Sequence, residues 1–279
     1  MKQAIGVCAM LVCVMSAIGQ ESDITSVTTT ETTAGGVDFF APLFVEDAVP
    51  LDTAQFDLRL RFDWVTGFGR DNVDGDDQYA GGARLVWGAA DNLELSADVA
   101  VNLGDAGELP GDVNGNGDVI VGMLYRFVDG ASWMDGVSTS LALGAKARIP
   151  SGHDSSGVDG ELRLNITNDY GDGVRSHVNG FVLSANGDND TDVRDLQWGA
   201  VVGLDGPLCN EGAVRWILDY LHRSSIHDGI GNLHLLELGA EWTMSDSQKL
   251  GLSTQVGLDH NDDVPNWGAR VNYVYSINY

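Results

Sequence analysis

Residues 267–279 alternate almost without a slip. Trp267, Ala269, Val271, Tyr273, Tyr275, Ile277 and Tyr279 occupy one set of alternate positions; Arg270, Asn272, Ser276 and Asn278 occupy the other, which only Val274 interrupts. Successive side chains of a strand point to opposite faces, so the segment predicts a strand with one apolar, aromatic face and one polar face. Two settings suit it: a half-buried strand of a soluble sandwich, or a barrel wall with lipid on one side and water on the other.

The same alternation recurs along the chain. Phe56, Leu58, Leu60, Phe62 and Trp64 oppose Asp57, Arg59, Arg61 and Asp63; Leu93, Leu95, Ala97, Val99 and Val101 oppose Glu94, Ser96, Asp98 and Asn102. Val137, Thr139, Leu141, Leu143, Ala145, Ala147 and Ile149 oppose Ser138, Ser140, Lys146 and Arg148. Charges alternating with large apolar residues cannot sit in a strand buried on both faces. Period-two segments are also predicted near 78–88, 116–127, 159–168, 176–186, 195–205, 212–222, 232–243, 248–258 and 266–279, making about twelve strands. Segment 176–186 is ambiguous, because Phe181 and Leu183 oppose Val178 and Val182. Backbone groups in lipid must be paired within the protein, so the sheet has to close. The predicted fold is all-β: a closed antiparallel transmembrane β-barrel over residues 54–279.

Connections supply a second signal. An even strand count puts both termini on one side, so alternate connections face outward: about 67–77, 103–117, 150–158, 187–194, 223–231 and 259–265. Most of the others, such as Gly88–Asp91, Tyr170–Arg175 and Thr243–Gln248, are shorter, the asymmetry expected of outer loops and periplasmic turns. Residues 128–136 are an exception, read as a longer periplasmic connection in which Trp133 is an interfacial anchor.

Ahead of the barrel, Met1-Lys2 and the apolar run Ala4–Ile18 are too short for a spanning helix, and Ala17-Ile18-Gly19 fits a small-residue cleavage site. Residues 1–19 are therefore expected to be a signal peptide cleaved after Gly19, directing the chain to the outer membrane. Residues 20–53 are expected to be a flexible periplasmic segment, Ser/Thr-rich at first. Its part from 37 to 53 carries Phe39, Phe40, Leu43 and Phe44, and either folds back as a plug or packs at the barrel mouth. Only Cys209 remains after cleavage, which excludes an internal disulfide and a CxxC redox motif. The 41 acids against 15 Lys and Arg argue against nucleic acid as a partner, since phosphate binding needs clustered cations.

Several short blocks resemble one family. Asp91-Asn92-Leu93-Glu94-Leu95, Gly117-Asp118-Val119 with Leu124-Tyr125-Arg126-Phe127, Leu141-Ala142-Leu143-Gly144, Lys146 to Arg148-Ile149-Pro150-Ser151-Gly152, and His177-Val178-Asn179-Gly180 are similar to the outer-membrane barrel family named for the MetA pathway of phenol degradation. The corner Pro150-Ser151-Gly152 departs mildly from that family's Pro-Thr-Gly-like block. The resemblance spans roughly residues 41–279. It implies an outer-membrane transport protein, with aromatic acids as the solute class, and carries no set of functional residues. The terminal strand resembles the C-terminal strand of bacterial outer-membrane barrels, which implies the barrel-assembly machinery as a partner, beside outer-membrane lipid and a small-molecule solute.

Four constellations could carry chemistry. By strand parity Arg59, Arg61, Arg84, Arg126, Lys146, Arg148, Arg163, Arg215 and Arg270 point into the lumen, the expected solute-binding set, since rings of Arg and Lys suit anion pores. Asp57, Asp63, Glu94, Asp98, Asp118, Glu161, Asp219, Glu237 and Glu241 point there too, so the same residues could instead close the lumen as a salt-bridged core. The acidic outer loops (Asp71, Asp74, Asp76 and Asp77; Asp105, Glu108 and Asp112; Asp188, Asp190, Asp192 and Asp195; Asp259, Asp262 and Asp263) suit at most weak surface Ca²⁺ or Mg²⁺. Asp112–Asp118 matches half of an EF-hand loop, but Met123 stands where its bidentate Glu belongs. His177 with Asn179 is the nearest approach to a catalytic group and lacks a nucleophilic serine. His222, His227 and His234 match no zincin spacing and read as polar lumen or loop residues. Neither a catalytic group nor a resident cofactor or metal is expected. Trp64, Trp87, Trp198, Trp216, Trp242, Trp267 and the terminal tyrosines suit an interfacial girdle.

These features predict a passive outer-membrane channel for small solutes, aromatic or anionic. A closed structural barrel acting through its acidic loops is the alternative, and a lipid-modifying enzyme the third reading.

Overall fold

The computed structural model describes residues 46–66, 78–102, 116–152, 157–171, 173–184, 195–208, 213–225, 231–258 and 266–278, all within one compact unit, 32–279. The signal-peptide cleavage site and the acidic residues of loops 67–77, 103–115, 185–194 and 259–265 lie outside these residues.

Twelve strands form: β1 (Gln55–Thr66), β2 (Gln78–Ala90), β3 (Leu93–Asn102), β4 (Asn116–Met134), β5 (Val137–Ile149), β6 (Asp159–Asp169), β7 (Arg175–Ser184), β8 (Leu196–Pro207), β9 (Val214–Arg223), β10 (Leu233–Ser245), β11 (Gln248–Gly257) and β12 (Trp267–Asn278). Each pairs antiparallel with its sequence neighbours, and β1 pairs with β12 from Gln55↔Asn278 to Thr66↔Trp267, closing the barrel. Connections at the end bearing both termini take only residues 91–92, 135–136, 170–174, 208–213 and 246–247. At the other end they take 67–77, 103–115, 150–158, 185–195, 224–232 and 258–266. The asymmetry expected of an outer-membrane barrel is present.

One connection differs from expectation. Residues 128–134 belong to β4, which pairs with β5 as far as Met134↔Val137 through three register shifts. Those bulges accommodate surplus residues and hide the period-two pattern beyond Phe127. The turn is Asp135-Gly136, with Gly136 at φ 76°.

The outer face carries a band of exposed Leu, Val and Met, including Leu95, Val121, Met123, Leu143, Leu162, Leu164, Val202, Leu238, Leu252 and Val271. Soluble monomers rarely expose a continuous apolar surface of this extent; lipid accounts for it. Aromatic rings flank the band at both ends. Towards the termini Phe56 stacks on Trp87 at 5.7 Å, and Trp64 meets Trp267 edge-on at 4.5 Å near the loop end. Trp198 lies near the loop end, and Trp216 and Trp242 near the other, which makes two girdles.

The interior is filled unevenly. Phe181, Val201, Leu221, Leu233 and Leu235, from β7 to β10, form a buried apolar cluster inside the barrel. This resolves the ambiguity of β7: Phe181 points inward, while Val178 and Val182 are exposed outside. Beside the cluster, Arg270 and Glu237 are fully buried with Asp63. Open space remains elsewhere in the lumen, bordered mainly by β1 to β6 and also by residues of β7 and β10 to β12.

Candidate solute site in the barrel lumen

A cavity of about 400 Å³ occupies that open part of the lumen. Its cations are Arg59, Arg61, Arg84, Lys146, Arg148 and Lys249; its acids are Glu46, Asp47, Asp57, Glu94, Asp98, Asp159, Glu161 and Glu241. Apolar side chains share the wall, among them Val49, Leu51, Ile120, Leu124, Leu183 and Val274.

The alternation of β1, β2 and β5 places the cations, and neighbouring acids hold most of them. Arg59 pairs with Asp57 at 3.2 Å, Arg61 with Asp63 at 2.5 Å, Arg84 with Asp98 at 3.1 Å, and Arg148 with Asp159. The site is thus a mixed-charge lining with little unpaired positive field, rather than a ring of free arginines.

Of the nine cations expected in the lumen, five line the cavity. Arg163 is buried behind it, 2.8 Å from Glu161 and stacked over Phe181 at 4.9 Å. Arg270 belongs to the filled part, bonded to Asp63 and Glu237. Arg126 reaches Asn92 at the β2–β3 turn and pairs with Asp129 at 2.9 Å, at the barrel's end. Arg215 donates to Asp205 and, at 2.7 Å, to the Gly173 carbonyl, again near the terminal end. Parity read their facing; their depth along the axis carried no signal.

The preceding chain supplies two cavity acids. Residues 46–51 run inside the lumen, tied to its wall. Glu46 N–H donates to Asn179 Oδ1 and Asn179 Nδ2 donates to Glu46 O, both at 2.9 Å. Ala48 N–H donates to Thr167 Oγ1 at 3.0 Å, and Leu51 N–H to Glu94 Oε2 at 3.2 Å. Arg175 Nη1 reaches Asp47 Oδ2 at 2.5 Å. Part of the segment expected to be flexible is therefore anchored, while residues 20–45 lie outside the described residues. The chain leaves the lumen for β1 at Ala54, a non-glycine residue with φ 67°.

Glu46 occupies a cradle from three strands. Its Oε1 lies 2.6 Å from Lys146 Nζ and 3.4 Å from Arg84 Nη1; its Oε2 lies 3.7 Å from Arg163 Nε. Burial pushes the carboxyl up, but Lys146, Arg163 and Arg84 more than reverse that and hold it well below the usual carboxylate range.

His177 meets Thr167 Oγ1 through Nδ1 and Asp205 Oδ2 through Nε2, each at 3.0 Å. A hydroxyl, an imidazole and a carboxylate in sequence suggest a nucleophile relay. Here, however, the Thr167 hydroxyl donates to Asp47 and accepts from Ala48 N–H, and all three side chains are buried. The relay anchors the segment. His222 and His234 are register partners on the outer face, not in the lumen; Tyr220 Oη lies 2.6 Å from His234 Nδ1, and Trp198 packs on His222 at 4.9 Å. His227 lies outside the described residues. Asp118, in the half EF-hand, is buried and accepts Ser151 and Gly152 N–H at 3.0 and 2.9 Å. Among the described residues no three His, Cys, Asp or Glu side chains gather to hold a metal.

Sequence reasoning missed Lys249, Arg175, Asp159 and Asp205, which lie at strand ends assigned to turns or left off the inward face, and Glu46 and Asp47, which lie in no strand. Only proximity in the fold finds them.

No family model and no curated protein matches the sequence. The fold is similar to the crystal structure of the COG4313 outer membrane channel from Pseudomonas putida F1, with 13% identity and a TM-score of 0.62 over 83% of this chain and 98% of that one. It is also similar to NanC porin (9%, 0.53, 79% and 98%) and to KdgM porin (8%, 0.52, 80% and 99%). At such identities the likeness concerns the fold, which is that of an outer-membrane β-barrel. Of the expected resemblance, the outer-membrane barrel fold is what these neighbours support.

Proposed function

We propose that this barrel is a passive outer-membrane channel for small amphiphilic solutes, aromatic acids among them. The cavity carries the reading: about 400 Å³ within the barrel, with Ile120, Leu124 and Leu183 on its wall beside Arg59, Arg84, Lys146 and Arg148. That volume falls within the roughly 300–1,000 Å³ of small-molecule sites. An apolar wall beside convergent charges suits a solute with an apolar body and a polar head. Paired charges leave little net field, so the native channel is expected to discriminate weakly between small cations and anions. The structural neighbours named above as a channel and porins support the reading through their fold.

The test is single-channel conductance of the full chain in planar bilayers, with benzoate uptake into liposomes. Conductance steps and uptake above the lipid background are expected; their joint absence sinks the transport reading. A closed structural barrel is the second reading, favoured by the apolar cluster and the Arg270–Asp63–Glu237 group that fill part of the lumen.

A further inference from the structure

We propose that Arg84, Lys146 and Arg163 form a binding site for a small organic carboxylate, which the chain's own Glu46 fills in this structure. The inference rests on the channel reading and names the group by which a solute is held.

Glu46 comes from the segment ahead of β1, not from the wall, yet three cations from β2, β5 and β6 converge on its carboxylate. The wall does not balance them equally well without it. Arg84 keeps Asp98 at 3.1 Å, and Arg163 keeps Glu161 at 2.8 Å. Lys146 keeps only Glu161, at 3.8 Å, among the ion pairs of the described residues. With Glu46 withdrawn, the lysine ammonium is left beside a carboxylate that already serves Arg163. A carboxylate from solution restores the balance.

A second observation comes from Asn165. It faces inward on β6 between Arg163 and Thr167 and opposite Asn179, and it is fully buried with neither end of its amide hydrogen-bonded. Buried polar groups are ordinarily satisfied. Thr167 and Asn179 beside it both bind the segment, so departure of the segment opens this part of the wall. The amide is then available to a ligand's second polar group.

The segment is suited to exchange. Most of its attachments are hydrogen bonds and ion pairs to polar wall groups, with one small apolar contact, Ala48 against Leu124 and Ala142. A soluble carboxylate that replaces the Glu46 ion pairs offsets the largest of them. Leu124 and Ile120 on the cavity wall offer contact to an apolar body, which makes benzoate a suitable probe and benzyl alcohol its uncharged counterpart.

The test uses the full chain in detergent. Isothermal titration with benzoate should show at least tenfold tighter binding for Glu46→Gln than for the native chain, with no gain for benzyl alcohol. Adding Lys146→Met to that variant should abolish the gain. Equal benzoate affinity in Glu46→Gln and native chain overturns the proposal, even where both conduct. Absence of conductance with the tenfold gain intact instead overturns the channel reading alone. Should Glu46→Gln fail to fold, hydrogen exchange on the native chain decides: benzoate, and not benzyl alcohol, should accelerate exchange at the Glu46 and Ala48 amides severalfold. Unchanged protection at saturating benzoate overturns the proposal.

Discussion

Arg270 Nε donates to Asp63 Oδ1 over 2.6 Å, and the two residues are register partners across the seam where β12 closes on β1. The same guanidinium donates through Nη1 to both Glu237 oxygens at 3.2 Å, Ser253 donates to Glu237, and Arg61 reaches Asp63 at 2.5 Å. A buried charge group of this kind stabilises little against an apolar replacement of equal volume, but losing one partner is costly because the others stay buried and uncompensated. Here it also fixes register where the two strands most distant in sequence must meet.

Arg270→Ala is therefore expected to destabilise the barrel by ~3–5 kcal/mol, the range for removing one partner of a buried pair. Arg270→Met combined with Glu237→Gln, which removes one charge of each sign and leaves Asp63 to Arg61, should recover most of that. Denaturant unfolding in micelles, followed by tryptophan fluorescence, measures both. A loss too small to detect in Arg270→Ala would show that the seam closes without this group.

The lipid-facing assignment predicts a cost that depends on depth. Leu143 lies mid-strand on the outer face opposite Leu164, whereas Ile149 ends the same strand; all three side chains are exposed. Leu143→Arg should cost ~2–4 kcal/mol when the barrel folds into liposomes, and Ile149→Arg only ~0–1 kcal/mol. In a water-soluble barrel both changes would be nearly neutral, so equal, small losses contradict a membrane setting.

The wall was legible because it obeys one rule along most of its length. Asp57, Arg59, Arg61 and Asp63 face inward, and Phe56, Leu58, Leu60, Phe62 and Trp64 outward, as period two requires. That rule weakens where the lumen itself is a core. Phe181, Val201, Leu221, Leu233 and Leu235 are inward and apolar, so hydrophobicity alone cannot assign their faces. It fails again in β4 beyond Phe127, where bulges shift the parity. The cradle was half legible. Alternation turns Arg84, Lys146 and Arg163 inward, but Glu46 sits 133 residues from the Asn179 that holds it, in a stretch with no period. Such a contact is set by closure of the barrel.

Protonation of Glu46 should loosen the segment only in acid. Its carboxyl is held below its unfolded value, so the stabilisation is fully present above the ordinary glutamate range, near ~4.3, and is lost as pH falls through the depressed folded value. Hydrogen exchange at residues 46–51, corrected for the intrinsic pH dependence, should stay flat from about pH 8 to 5 and rise only below about pH 4. Glu46→Gln should remove that acid step. A loosening centred near neutral pH would assign the anchoring to another group.

Gly88 sets how closely the segment approaches the wall. A Cβ on this inward-facing residue would lie 2.0 Å from the Asp52 carbonyl oxygen and 2.8 Å from that of Leu51, both backbone atoms with no rotamer to yield. Gly88→Ala must therefore lift residues 51–52, straining the Leu51 N–H to Glu94 bond of 3.2 Å and the Ala54 N–H to Gly88 carbonyl bond of 2.9 Å. Overpacking of this kind costs ~1–3 kcal/mol. The β2–β3 hairpin can retain its own pairing while the segment moves. Limited proteolysis should cut Gly88→Ala near residue 51 severalfold faster than the native chain, with the resistance of the strands unchanged. Gly180→Ala is the control, since a Cβ there meets nothing within 4 Å. If both variants are cut at the native rate, close passage over Gly88 does not govern docking of the segment.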